Sequence, residues 1–280
     1  MPPTSRVPAR LSSHNWPDEA LVRPSVVTGP LAGEQLAAFG AAGWLLAPAF
    51  FDGTAMAEIS DWIDDLSARP EVPGAHWVYH QPSLLDPEQK LVQRIENFCP
   101  HHQGFETLAR HSLLSRAVSQ LLKGPSVLFK EKINFKEPGG AGFELHQDQQ
   151  AGWSRYAPLF VTAMVCVDPA TIKNGCLEVA CGLGRLDRLI ADEWRPISEE
   201  EAGGFSTRPF PTNPGDVIFF DSFVPHASQA NTTQSPRRML FFTYNGLTHG
   251  DQRDAYHVAK RASFPPDVER AAGAEYKFRV

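Results

Sequence analysis

The chain has 280 residues, 42% of them hydrophobic, which suffices for one substantial core, and its formal net charge is −6. It carries no Lys/Arg cluster or basic tail, which excludes a surface built for nucleic-acid phosphates, and no apolar run is long enough for a membrane span. Its cysteines, Cys99, Cys166, Cys176 and Cys181, lack CxxC spacing. A cytoplasmic protein with reduced thiols and a small-molecule partner is expected, and nothing in the sequence sets an oligomeric state.

Residues 1–25 read as an arm, because prolines interrupt any periodicity, and 26–280 read as a single domain. "LAGEQLAAFGAAG" predicts a short helix ending at Gly43. In "FDGTAMAEISDWIDDLSARP" the residues Met56, Ile59, Ile63 and Leu66 recur at helical spacing between an Asp/Thr start and Pro70, which predicts an amphipathic helix. Residues 71–104, including "HWVYH" and "RIENFCPHH", read as loop. "FETLARHSLLSRAVSQLLKG" reads as one or two helices that stop at Gly124 and Pro125.

Strand grammar then takes over. "SVLFKEKINFK", "FVTAMVCVD", "CLEVA", "GDVIFF" and "RRMLFFTYN" are short, β-branched or aromatic, and punctuated by Gly, Pro and Asn. Their spacing over 126–245 predicts a sandwich or small barrel. Residues 185–206 form a polar, lid-like insertion, and 249–280 predict a helical segment stopped by Pro265 and Pro266.

The stretch "GAGFELHQDQQAGW" places His146 and Asp148 two apart at a strand end, where they share a face. His226, which follows the strand "GDVIFF", returns to the same mouth. Two histidines and a carboxylate with open positions make the facial triad of non-haem iron(II) oxygenases, although a zinc hydrolase can use the same ligand types. An HxD pair alone is a common turn feature. What favours iron is Arg237, eleven positions beyond His226, whose planar guanidinium suits the distal carboxylate of 2-oxoglutarate.

Through "HQD", "NGCLEV", "PGDVIFFDSFVPHAS" and "NTTQSPRRMLFFTYN", residues 126–245 resemble the phytanoyl-CoA dioxygenase family of iron(II)/2-oxoglutarate oxygenases. The resemblance implies a mainly β fold, a double-stranded β-helix (a cupin-like jelly roll) with flanking α-helices. It also implies Fe(II) as cofactor, 2-oxoglutarate and O2 as cosubstrates, and succinate and CO2 as coproducts. Laid over the ectoine hydroxylases of that family, Asn134, Phe143, Ser228 and Arg237 match cosubstrate positions, and Lys132 stands where those enzymes have an arginine. Trp153, Phe220 and Phe241 match substrate positions, although the turn after His146 is one residue longer here. Aromatic walls suit a cationic or apolar group, and core packing is the other reading of Phe220 and Phe241.

Lys130 replaces a substrate-contacting glutamine of the ectoine hydroxylases. The period of two puts Lys130, Lys132 and Asn134 on one strand face. If that face points inward, the ammonium groups need anionic partners, because burying them unpaired costs several kcal/mol. One partner is 2-oxoglutarate, and the other is a phosphonate or carboxylate on the substrate. If the face points outward, both lysines are solvated. "RIENFCPHH" offers Arg94, Glu96 and Asn97 as further substrate contacts. The expected function is hydroxylation of an unactivated C–H bond in a small anionic or zwitterionic metabolite such as an aminoalkylphosphonate. The alternatives are a bulkier natural product, a non-catalytic jelly-roll binding protein, or a cupin-like isomerase.

Overall fold

Capping chemistry decides where the helices begin and end. The computed structural model describes residues 29–191, 194–203 and 205–276, so the arm expected over 1–25 lies outside the described residues. Helix α1 (Gly33–Ala42) stops where Gly43 takes a φ of 77°. Helix α2 (Gly53–Ala68) starts at Asp52, whose carboxylate accepts from the Ala55 amide at 2.9 Å, and it buries Met56, Ile59, Ile63 and Leu66. The next helical stretch is two helices, α3 (Gln103–Arg110) and α4 (Leu113–Leu121). Ser112 accepts from the Leu114 amide at 3.0 Å and so caps the second of them. No helix among the described residues is long and apolar enough to cross a membrane.

Among the described residues there are eleven strands, in chain order: β1 (Trp44–Ala47), β2 (Trp77–Pro82), β3 (Lys90–Glu96), β4 (Ser126–Lys136), β5 (Phe143–His146), β6 (Phe160–Cys166), β7 (Leu177–Cys181), β8 (Ser206–Phe210), β9 (Val217–Asp221), β10 (His226–Ser228) and β11 (Arg237–Gly246). They form a seven-stranded sheet, β1-β9-β6-β11-β4-β3-β2, and a four-stranded sheet, β5-β10-β7-β8. All pairings are antiparallel. This is the expected jelly roll. One face of the large sheet, with Ile133, Phe219, Leu240 and Phe242, packs on Ile59, Ile63, Phe105 and Val118 of the helices. Its other face, with Met164, Ile218, Phe220 and Met239, meets Leu177 and Val179 of the small sheet.

The loop expected over 71–104 is corrected: it holds β2 and β3, which extend the large sheet, so the sheets reach well before residue 126. The pattern hid them because the positions of β3 opposite Asn134 and Lys132 are Arg94 and Glu96, both buried and charged. A strand whose inward residues are ion-paired shows no apolar alternation.

Two features shape one end of the barrel. A bulge at Thr243/Tyr244 breaks the β4–β11 register, so Leu128 joins the helical core while Phe129 packs with Trp153. Helix α5 (Arg253–Ser263), which ends before Pro265, is fastened to β4 by Arg253. Its guanidinium grips both oxygens of the buried Glu131 carboxylate and donates to Asn97 Oδ1 at 2.9 Å. Asn97 therefore serves this joint rather than the barrel interior. Glu131→Ala leaves the Arg253 charge buried without its partner and is expected to destabilise the fold by about 3–5 kcal/mol in chemical denaturation. A loss below about 1 kcal/mol would mean that the joint does not hold α5.

Candidate metal centre and its cavity

The antiparallel pairing of β5 with β10 sets His146 directly opposite His226, with ring centroids 4.3 Å apart. Each ring is oriented by its own chain two residues back. His146 Nδ1 donates to the Glu144 carbonyl at 2.6 Å, and His226 Nδ1 donates to the Val224 carbonyl at 2.9 Å. A carbonyl can only accept, so Nδ1 holds the proton and Nε2 presents its lone pair inward. Burial, with His226 adding, pushes His146 down to about 3, and burial lowers His226 as well, so both rings are neutral as metal ligation requires.

Asp148 arrives differently from the strand-face expectation. It lies beyond β5 in a short 3-10 turn (Asp148–Ala151), and that turn, not strand alternation, brings its Oδ1 to 3.9 Å from His146 Nε2. Burial works against its ionisation, but His226, Lys132 and Lys130 outweigh it and hold the carboxyl below its ordinary value. Ligand atoms of His146, Asp148 and His226 all lie within 4.8 Å of one another, the one such cluster among the described residues. Asp148 Oδ1 is buried with no hydrogen-bond partner. A divalent cation satisfies that orphan and the two inward lone pairs together, so the residues fit iron(II).

Next to the triad is a small cavity, lined among others by Lys132, Asn134, Phe143, Ser228, Arg237 and Phe241. Arg237 is buried, forms no salt bridge among the described residues, and leaves its Nε unpartnered. Burial pushes its guanidinium down to about 10. Arg238 faces the other way, bound to Asp168 and to Asp64 on α2. Asn134 Oδ1 is a further orphan beside this cavity. Lys136, two residues beyond Asn134, continues the same period of two and is legible from it. Its buried ammonium donates to Ser228 Oγ at 2.8 Å and to the Gln229 carbonyl at 2.5 Å. Burial and Arg237 together lower it to about 7. A lining with Arg237 and Lys132, with Lys136 bound to its Ser228 and with no carboxylate of its own, fits a dicarboxylate such as 2-oxoglutarate.

Lys130 sits at the other end of β4's inner face, roughly 20 Å from Lys136 by strand rise. It is buried, not solvated, and its Nζ has no hydrogen-bond partner. Burial drives its ammonium well below the ordinary value, with Lys260 and Lys132 adding to the effect. Its Nζ lies 4.6 Å from the Trp153 ring centroid. Phe220 packs at 4.8 Å from the His226 ring, and Phe241 lies 4.9 Å from Lys132 Nζ. Arg94 Nε meets Glu96 Oε1 at 2.6 Å, and Glu96 Oε2 also binds Lys260 of α5 at 2.8 Å. Nothing in the sequence pattern pointed to Lys260, because its place in the interior depends on how α5 docks.

The insertion expected as a lid packs onto the metal turn. Gln147, fully buried between the two ligands, donates from Nε2 to the Phe223 carbonyl at 2.6 Å and to the Arg188 carbonyl at 3.1 Å, and its Oε1 accepts from the Ile190 amide at 2.7 Å. Gln150 donates to the Arg195 carbonyl at 3.2 Å, and the Trp194 ring stands 5.3 Å from that of His146. One amide thus ties together the turn bearing Asp148, the approach to His226, and the insertion.

Comparison with known proteins places this geometry in context. Residues 39–239 match the family described as Phytanoyl-CoA dioxygenase (PhyH). A 2-aminoethylphosphonate dioxygenase from Uncultured bacterium HF130_AEPn_1 is 38% identical over 234 residues, covering 84% of this chain and 89% of the relative. A methylphosphonate hydroxylase from Gimesia maris is 34% identical over 250 residues, covering 88% and 93%. The crystal structure of EctD from S. alaskensis with 2-oxoglutarate and 5-hydroxyectoine matches the fold with a TM-score of 0.68 at 23% identity, over 79% of this chain and 78% of that one.

Removing the Gln147 amide strands two carbonyls and one N–H, each costing about 1–3 kcal/mol when left unsatisfied. Gln147→Ala is expected to lower iron affinity and to expose Arg185, Arg188 and Arg195 to trypsin in the folded protein. Proteolysis indistinguishable from wild type would show that other contacts hold the insertion.

Proposed function

We propose that this chain, which belongs to the phytanoyl-CoA dioxygenase family, hydroxylates a C–H bond of a small alkyl- or aminoalkylphosphonate. It is an iron(II)- and 2-oxoglutarate-dependent dioxygenase. The observation that supports this substrate class is the charge inside the barrel. Arg94, Lys130, Lys132, Lys136, Arg237 and Lys260 lie on or against its inner face, with Glu96 and Asp148 as the opposing charges. Arg237 and Lys136 suit the distal carboxylate of the cosubstrate, and Glu96 offsets Arg94 and Lys260 in part. Lys130 is left with no acceptor, and an anionic head on the substrate supplies one.

His146, Asp148 and His226 would hold the iron, which, when loaded with 2-oxoglutarate and O2, supplies the oxidant for an unactivated C–H bond. The chain's own residues bind, orient and exclude water. Lys130 fixes the substrate by its anion, so its carbon chain points along β4 towards the triad. Phe220 and Phe241 form the apolar flank beside the ligands, and Trp194 with the insertion covers the His146 side. The carboxylate of Asp148 occupies a ligand position, so no halide is needed or accommodated there for halogenation.

The test is succinate release with Fe(II), 2-oxoglutarate and O2 on a panel of methylphosphonate, 2-aminoethylphosphonate, ectoine and proline, with a gain of one oxygen in the product. Phosphonates are expected to drive turnover, and ectoine or proline turnover without any phosphonate turnover would overturn the reading. Ala at His146, Asp148 or His226 is expected to abolish activity and lower iron content. Arg237→Ala is expected to raise the KM for 2-oxoglutarate by roughly ten- to a hundred-fold, the range for hydrogen bonds to a charged group, while Arg238→Ala leaves it near wild type. The reverse sensitivity would place the inward face of β11 one residue away.

A further inference from the structure

Three buried side chains from separate parts of the chain meet at the α5 end of the barrel, and each carries a polar atom without a hydrogen-bond partner. They are Lys130 Nζ from β4, Trp153 Nε1 from the turn after Asp148, and Tyr256 Oη from α5. Their exposures are 2%, 1% and 5%, so solvent does not satisfy these atoms. Lys130 Nζ stands 4.6 Å from the Trp153 ring centroid and 5.6 Å from that of Tyr256. Phe129, turned inward by the bulge, packs beside both rings, 5.4 Å from that of Trp153 and 4.5 Å from that of Tyr256.

An ammonium and an indole N–H can only donate, and a tyrosine hydroxyl donates as well as accepts. Two obligate donors cannot satisfy each other. Glu96, the nearby carboxylate, is engaged by Arg94 and Lys260 and makes no hydrogen bond to Lys130. A cationic ligand would meet the Lys130 charge, and an apolar ligand would leave every orphan as it is. A ligand with several acceptor oxygens on one atom answers all three. We propose that Lys130, Trp153 and Tyr256 form an oxyanion site that binds the phosphonate group of the substrate, with α5 supplying its outer wall. This rests on the phosphonate reading above and assigns that group's partners.

The assignment changes the role expected for Trp153. The ring is flanked by the protein's own Lys130 ammonium, so Trp153 offers its N–H edge to an anion rather than a wall to the substrate's cationic end. It also gives the Arg253–Glu131 joint a functional consequence. Arg253, Tyr256 and Lys260 are the buried residues of α5, spaced along one face, so the joint that seats Arg253 also sets the depth of Tyr256. Tyr79 takes no part, because its hydroxyl already donates to the Phe264 carbonyl at 3.1 Å.

The decisive variant is Tyr256→Phe, which removes one oxygen and keeps the ring. Anaerobic calorimetric titration of the iron- and 2-oxoglutarate-loaded enzyme with methylphosphonate or 2-aminoethylphosphonate is expected to show roughly five- to fifty-fold weaker binding. The KM for 2-oxoglutarate, the iron content and the melting temperature should stay at wild-type values. Trp153→Phe is expected to act in the same direction, and Lys130→Met more strongly, by roughly ten- to a hundred-fold, the range for a charged hydrogen bond. β-Alanine, the carboxylate counterpart of 2-aminoethylphosphonate, separates an oxyanion site from loosened packing. Tyr256→Phe should narrow the preference for phosphonate over carboxylate, whereas a packing defect would weaken both equally. Unchanged phosphonate binding in Tyr256→Phe, with Lys130→Met impaired, would remove the site and leave the phosphonate reading intact. A wild-type enzyme that binds and turns over neither phosphonate would instead remove the reading itself.

Discussion

The register of β5 against β10 is the constraint on which the centre of this protein depends. It opposes two histidines across one antiparallel pair and leaves their Nδ1 atoms within reach of carbonyls two residues back in the chain. Those two bonds choose the tautomer, the tautomer aims both lone pairs inward, and the 3-10 turn then has only one carboxylate to deliver. A slip of one residue would send either ring to the opposite face. The surrounding structure guards that register from both sides: Gln147 ties the turn to the approach to His226, and the large sheet behind is packed against four helices.

Around this centre the barrel is organised by charge as well as by apolar contact. A jelly roll ordinarily fills its lumen with hydrophobic side chains, and here one strand, β4, sends three lysines and an asparagine inward. In the proposed reading such a strand is tolerated because its cations meet the anionic groups of cosubstrate and substrate. The two ends of β4 differ, with Lys136 beside Arg237 at one and Lys130 among aromatic rings at the other. Helix α5 completes the second end, and it is held by an ion pair on the reverse face of the same strand. The two faces of β4 therefore differ, with the anchor of α5 outside and, in the proposed reading, recognition inside, and the alternation that separates them is interrupted by the bulge near Phe129.

Legibility followed the reach of each interaction along the chain. The HQD motif, His226, Arg237 and the alternating lysines were readable, because local spacing and residue chemistry place them, and the resemblance over 126–245 gave them an order. The strands β2 and β3 were not, because Arg94 and Glu96 satisfy each other and Lys260 across the fold instead of showing an apolar period. Lys136 was within reach of the pattern, two residues past Asn134. Lys260 and Tyr256 were not, because a helix in isolation has no preferred partner for its polar residues.

By itself the sequence determined the fold class, the ligand types of the metal centre and the direction in which Arg237 and Arg238 part, since these follow from strand period, side-chain chemistry and motif order. Only the tertiary structure decided that Asp148 reaches its place through a turn, that Gln147 fastens the insertion, and that α5 brings Tyr256 and Lys260 to the barrel beside Lys130. The physical reason is that hydrogen bonds and ion pairs between segments from about forty to more than a hundred residues apart leave no period in the chain, and exist only once burial has removed the water that would otherwise satisfy the same groups.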